Sequence, residues 1–157
     1  MDPIDEVKHL LDELVSHVAA LAAAYALAFP IGWDRERKDR SAGLRTFPLV
    51  SIASCGFVQA TESLLAHSPD AQARIIAALI TGIGFIGAGA IIRQGRNVQG
   101  TATAAALWVT GAIGIAVGLG SYGLAIAVTV FTIATFRGLS PLKQDHEPGD
   151  GPDEPHR

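Results

Sequence analysis

Gly82-Ile-Gly-Phe-Ile-Gly-Ala-Gly89 lies in the middle of 75–92, a run with no Asp, Glu, Lys or Arg. Residues 101–118 and 121–136 are equally free of charge, and 11 of the 17 glycines fall between Gly82 and Gly123. In water a glycine weakens a helix by about 1 kcal/mol relative to alanine. In lipid, small residues let neighbouring helix backbones approach closely. The spacing of Gly82, Gly84 and Gly87 fits a dinucleotide-binding fingerprint, but that motif needs a preceding strand and an acid about 20 residues on. Here the glycines sit inside an apolar run and the next acid is Asp145, so the nucleotide reading fails. Gly82, Gly84, Gly87 and Gly89 either pack against another helix or permit a break in this one, and a break at membrane depth would have to line protein or a wet cavity.

Outward from this tract, the 157-residue chain is 49 % apolar and 17 % charged. Five runs approach the length needed to cross an apolar core about 30 Å thick at 1.5 Å per residue: 14–31, 47–66, 75–92, 101–118 and 121–138. The fold expected is an all-α integral membrane protein of five transmembrane helices with small-residue packing. Ile4, Val7, Leu10, Leu11 and Leu14 recur at helical spacing, so 1–13 reads as an amphipathic interfacial leader that merges into the first span. Three acids among the first eight residues oppose a signal peptide. The tail 140–157, with four prolines and five acids, reads as disordered, with no soluble domain after the last span. The single cysteine, Cys55, excludes an intramolecular disulfide and a cysteine-based zinc site.

With five spans, ten of the twelve basic residues fall on one side and only Lys8 and Arg74 on the other. The positive-inside rule then places the N-terminus outside and the C-terminus in the cytoplasm. The basic cluster after Trp33 is short and interleaved with Asp34, Glu36 and Asp39, which argues against nucleic acid.

Within the spans the polar residues sort by face. Ser51, Cys55, Gln59 and Glu62 share one face of the second run, which should turn inward. Glu62 is the only acid in any span, a turn from the outer end. It is either a solvated interfacial glutamate or an ion or proton ligand, and it is the metal candidate. Thr103, Thr110, Gly114 and Gly118 share a face of the fourth run and form a packing seam, whose partner lies in this chain or in another copy. A homo-oligomer, a dimer first, suits such a seam. In the loop 33–46, Thr46 is a candidate N-cap, Pro48 falls in the first turn, and Arg45 should pair with Asp34 or Glu36. Thr101 could cap the fourth helix.

Gly32-Trp-Asp-Arg-Glu-Arg, Ala42-Gly-Leu-Arg-Thr46, Gly82-Ile-Gly-Phe-Ile-Gly-Ala-Gly89 and Gly100-Thr-Ala-Thr-Ala-Ala-Ala-Leu-Trp-Val109, in that order, resemble the MgtC/SapB membrane family. The resemblance covers about 14–138. It implies a small bacterial inner-membrane protein tied to growth in low magnesium and to survival inside phagocytes, hence to virulence. It implies regulation by binding other membrane proteins, such as ATP synthase or sensor kinases. It also marks Asp34, Arg35, Glu36, Arg37, Arg45 and Thr46 as a cytoplasmic motif cluster. Two positions depart from the pattern: Asp34 stands where Glu is usual, and Phe47 where His or Asn is frequent. Many members carry a further cytoplasmic domain. The function expected is a membrane interaction or regulatory protein without enzymatic activity or a resident cofactor. The alternative is a Mg²⁺ or other cation transporter or channel, for which Mg²⁺ would require oxygen ligands.

Overall fold

A computed structural model describes residues 3–38, 42–65, 68–94 and 97–138, without the side chains of 62–65, Gln94 and Asn97. The tail 140–157 lies outside the described residues. Five helices follow one another: α1 (Pro3–Glu36), α2 (Thr46–Leu65), α3 (Pro69–Gly89), α4 (Thr101–Gly118) and α5 (Tyr122–Gly138). Among the described residues, α1, α3 and α4 are long and apolar enough to cross a membrane, and Thr46–Thr61 and Tyr122–Gly138 are shorter apolar helices. One feature is not helical. Strands β1 (Ile92–Gln94) and β2 (Asn97–Gln99) pair antiparallel between α3 and α4, with Arg93 opposite Val98.

Helix α4 is the centre of the bundle. Thr103, Gly111, Ile113, Ile115 and Ala116 are buried on more than one of its faces, as expected of a helix that is apolar all round. It touches α1, α2, α3 and α5, while α1 also packs on α2 and α5, and α2 on α3. The four outer helices thus wrap α4 in the order α5, α1, α2, α3. Between α3 and α5 an open apolar groove of about 240 Å³ remains, lined by Ile80, Ile83, Trp108, Ala112 and Leu124 among others.

Glycines set the distance of α4 from its neighbours. A Cβ on Gly114 would overlap the carbonyl oxygen of Ser51, and one on Gly118 would lie 2.8 Å from Val58 Cβ and 3.0 Å from the carbonyl oxygen of Cys55. The Ile83 side chain fills the space over Gly111. The seam left open between two partners by the sequence therefore meets α2 of the same chain.

Helix α3 is unbroken, so the glycines do not open a break in it. It starts at Pro69 and ends at Gly89, so the apolar run 75–92 misplaces both ends. Proline suits the first turn of a helix, and at the other end the chain leaves the helix to enter β1. Of the four motif glycines only Gly87 packs, with Ala104 O 3.3 Å from where its Cβ would be; Gly82, Gly84 and Gly89 face open space.

Candidate functional site

The end of α1 carries the charged motif, and the fold ties it to three other elements. Asp34 and Arg35 are buried although both are ionisable. The Arg35 guanidinium donates to Thr103 Oγ1 in the first turn of α4 at 3.3 Å. It also lies 4.4 Å from the ring centroid of Phe136, in the last turn of α5. A cation over a desolvated aromatic face is worth about 2 kcal/mol. A buried charge stays in place only where such partners offset its desolvation.

Beside it, Lys38 Nζ donates to Asp34 Oδ2 at 3.1 Å and to the carbonyl oxygen of Phe136 at 3.4 Å. That carbonyl belongs to the final turn of α5, where the helix dipole favours a cation. One turn of α1 thus holds the start of α4 and the finish of α5.

Glu36 fixes the following loop. Its Oε2 accepts the Leu44 N–H at 3.0 Å, and a Cβ on Gly43 would fall on that same oxygen. Backbones also meet here, since a Cβ on Gly32 would lie 3.2 Å from Gly43 O. The expected pairing of Arg45 is not what forms. Asp34 takes Lys38, in the turn just after α1, Glu36 takes the Leu44 amide, and Arg45 is exposed with Arg37.

Thr46 is the first residue of α2 rather than a flanking cap, and its N–H and that of Phe47 reach Gly43 O at 3.1 and 3.3 Å. Pro48 follows in the first turn, where its missing N–H leaves no intrahelical bond unmade. Phe47 is wholly buried, which accounts for an apolar residue at this position. Thr101 likewise begins α4, and the N-cap is Gly100 at φ 87°. A Cβ there would collide with the carbonyl oxygen of Ala90, so only glycine joins the hairpin to α4.

The inward face of α2 is real for its first half. Ser51 and Cys55 are fully buried against α4, and Gln59 is half-buried. Among the described residues the Ser51 hydroxyl has no hydrogen-bond partner. Ser54 and Thr110, also buried, donate to Val50 O and Ala106 O of their own helices at 2.8 Å. Glu62 is on α2, but its side chain lies outside the described residues. Among the described residues no three His, Cys, Asp or Glu side chains gather to hold a metal ion.

Sequence reasoning missed Lys38 and Phe136, whereas Gly43 and Gly100 stand in the motifs it quoted. Lys38 carries a signal, being four residues after Asp34 on a helix. Phe136 carries none, because only folding brings it to Arg35.

Helices of membrane-crossing length, packed through glycines and closed at one end by a buried arginine, define a class: a small helical membrane protein. The chain belongs to the MgtC family, whose model matches residues 21–145. It is similar to Protein MgtC of Brucella abortus (strain 2308), 42 % identical over 131 residues, which are 83 % of this chain and 54 % of that protein. It is equally similar to Protein MgtC of Salmonella typhimurium (strain LT2), 42 % identical over 117 residues, 74 % of this chain and 49 % of that protein. The chain thus spans about half the length of the curated relatives it matches. No solved structure matches it.

Proposed function

We propose that the chain is the membrane domain of a bacterial inner-membrane regulatory protein that acts by binding other membrane proteins. The five helices cross the membrane, with the N-terminus outside and the Arg35 end in the cytoplasm. The family resemblance links this role to adaptation to low magnesium and to survival within phagocytes. It suggests ATP synthase or a sensor kinase as the partner, and the chain self-associates as a homo-oligomer. The observation that carries the reading is the direct contact of α2 and α4 backbones at Gly114 and Gly118, which favours a packed interior over a path. At the cytoplasmic end Arg37 and Arg45 project outward from a loop held by Glu36. Co-purification of the full chain with the membrane sector of ATP synthase, or with a sensor kinase, tests this. Capture should fall sharply in R37A/R45A. Unchanged capture would dismiss that loop as the contact, and no capture of either candidate would dismiss both partners.

One observation favours a second reading. The Ser51 hydroxyl, without a hydrogen-bond partner among the described residues, sits on the face of α2 that also bears Gln59 and Glu62, oxygen-bearing groups of the kind a cation path uses. Mg²⁺ flux into proteoliposomes of pure protein, with Glu62→Gln as control, decides between the two. Flux above empty liposomes that Glu62→Gln abolishes would establish transport.

A further inference from the structure

Helix α1 is 34 residues long against 17 to 21 for the other four. It runs unbroken from Pro3 to Glu36, and its first buried residue is Ala20. Residues 3–19 are therefore exposed along their whole length among the described residues, over a rise of about 25 Å. Their apolar side chains are not scattered. Ile4, Val7, Leu11, Leu14 and Val18 recur at alternating steps of three and four, flanked by Leu10 and Val15, and all seven are 54–78 % exposed. That is a heptad pattern with Ile4, Leu11 and Val18 at one core position and Val7 and Leu14 at the other. Every acid of the segment, Asp5, Glu6, Asp12 and Glu13, falls outside the stripe, and His9 and Glu13 pair with each other at 3.6 Å.

We infer that this stripe is where two copies of the chain meet, as a short parallel coiled coil that begins outside the membrane at Ile4 and runs into the start of the first span at Leu14 and Val18. The inference rests on the self-association proposed above and names its surface. Copies in one membrane share an orientation, so their α1 helices run parallel and like positions face each other, which a two-fold interface requires. With all four carboxylates turned away from the stripe, two copies close without opposing charges. The β-branched Ile4 and Val18 and the leucine Leu14 occupy the positions such residues favour in parallel dimers.

The competing occupant, the membrane surface, is poorly matched. Helices that lie on it carry Lys and Arg on the polar face, whereas this one carries four acids and a single cation, Lys8, which anionic headgroups repel. Lying down would also require the chain to turn between the leader and the span, where α1 is one continuous helix.

The test uses the full chain in the Cys55→Ala background, reconstituted in vesicles, with single cysteines at Leu11, Leu14, Asp12 or Glu13. Oxidation should convert most of the Leu11→Cys and Leu14→Cys proteins to disulfide-linked dimers and leave Asp12→Cys and Glu13→Cys largely monomeric. The variant L11D/L14D should lower the mass measured by light scattering in detergent to that of one chain while its helical circular dichroism stays unchanged. A dimeric mass without this preference between faces would overturn the surface and leave self-association standing. A monomeric mass for the parent protein would overturn both. Quenching of a fluorophore at Leu11 by brominated lipid, without cross-linking, would place the leader on the membrane and overturn the inference.

Discussion

Gly114 in α4 rests directly against the carbonyl oxygen of Ser51 in α2, with no room for a side-chain carbon between them. The contact holds two helices at backbone distance, and Gly118 repeats it one turn on against Cys55 and Val58. Gly114→Ala should cost about 1–3 kcal/mol by overpacking, read as a lower unfolding midpoint in detergent. Gly84→Ala is the matched control, because its Cβ enters open space; its midpoint should stay within error of the parent or rise.

The Arg35 lock predicts an ordered series. Arg35→Ala loses both the hydrogen bond to Thr103 and the packing on Phe136, and should destabilise by roughly 2–3 kcal/mol. Phe136→Leu removes only the aromatic face and should cost about 1 kcal/mol. A double-mutant cycle of the two by denaturant titration should return a coupling energy. Strict additivity would show that the stacked geometry contributes nothing.

Glu36 and Gly43 form a second test. Gly43→Ala drives a methyl group into the carboxylate that accepts the Leu44 amide. Hydrogen exchange at Leu44 should accelerate at least tenfold, which is about 1.4 kcal/mol of lost protection. Glu36→Gln keeps an acceptor oxygen and should change that rate far less.

Gly100 should tolerate no side chain. Its φ of 87° and the carbonyl of Ala90 both oppose a Cβ, and the left-handed conformation alone costs an L-residue about 1–2 kcal/mol. Gly100→Ala should therefore lower the unfolding midpoint more than Gly120→Ala. Gly120 also has positive φ, at 72°, but its Cβ would meet nothing within 4 Å. Equal losses would mean that the Ala90 contact has no effect.

Helix positions were legible because uncharged runs, prolines and glycines act locally. Thus 121–138 and α5 agree to one residue, while α3 begins at Pro69 rather than at the first residue of its apolar run. The hairpin 92–99 was not legible: three-residue strands are too short to leave a period in the sequence. Thr46 and Thr101 have the chemistry of caps, but each became the first helical residue because backbone groups of glycine, Gly43 O and Gly100, do the work at those ends. The charged end shows the same division. That Asp34, Glu36 and Arg45 matter as a group could be read from their density. Which partner Glu36 takes could not, because the Leu44 amide reaches it only when the loop folds back on α1.

By itself the sequence determined the composition of each helix, the inward polar face begun by Ser51 and Cys55, the small-residue stripe on α4 and the membership that its linked motifs indicated. These follow from periodicity and local composition, which are properties of consecutive residues. Only the tertiary structure decided that α4 stands at the centre and that its glycines meet α2 rather than another copy. It alone decided that three of the four α3 motif glycines face outward and that Arg35 lies between Thr103 and Phe136. Those outcomes depend on which faces meet across 68 or 101 residues of chain, where desolvation of a buried cation and backbone approach at glycine outweigh any preference a single helix carries.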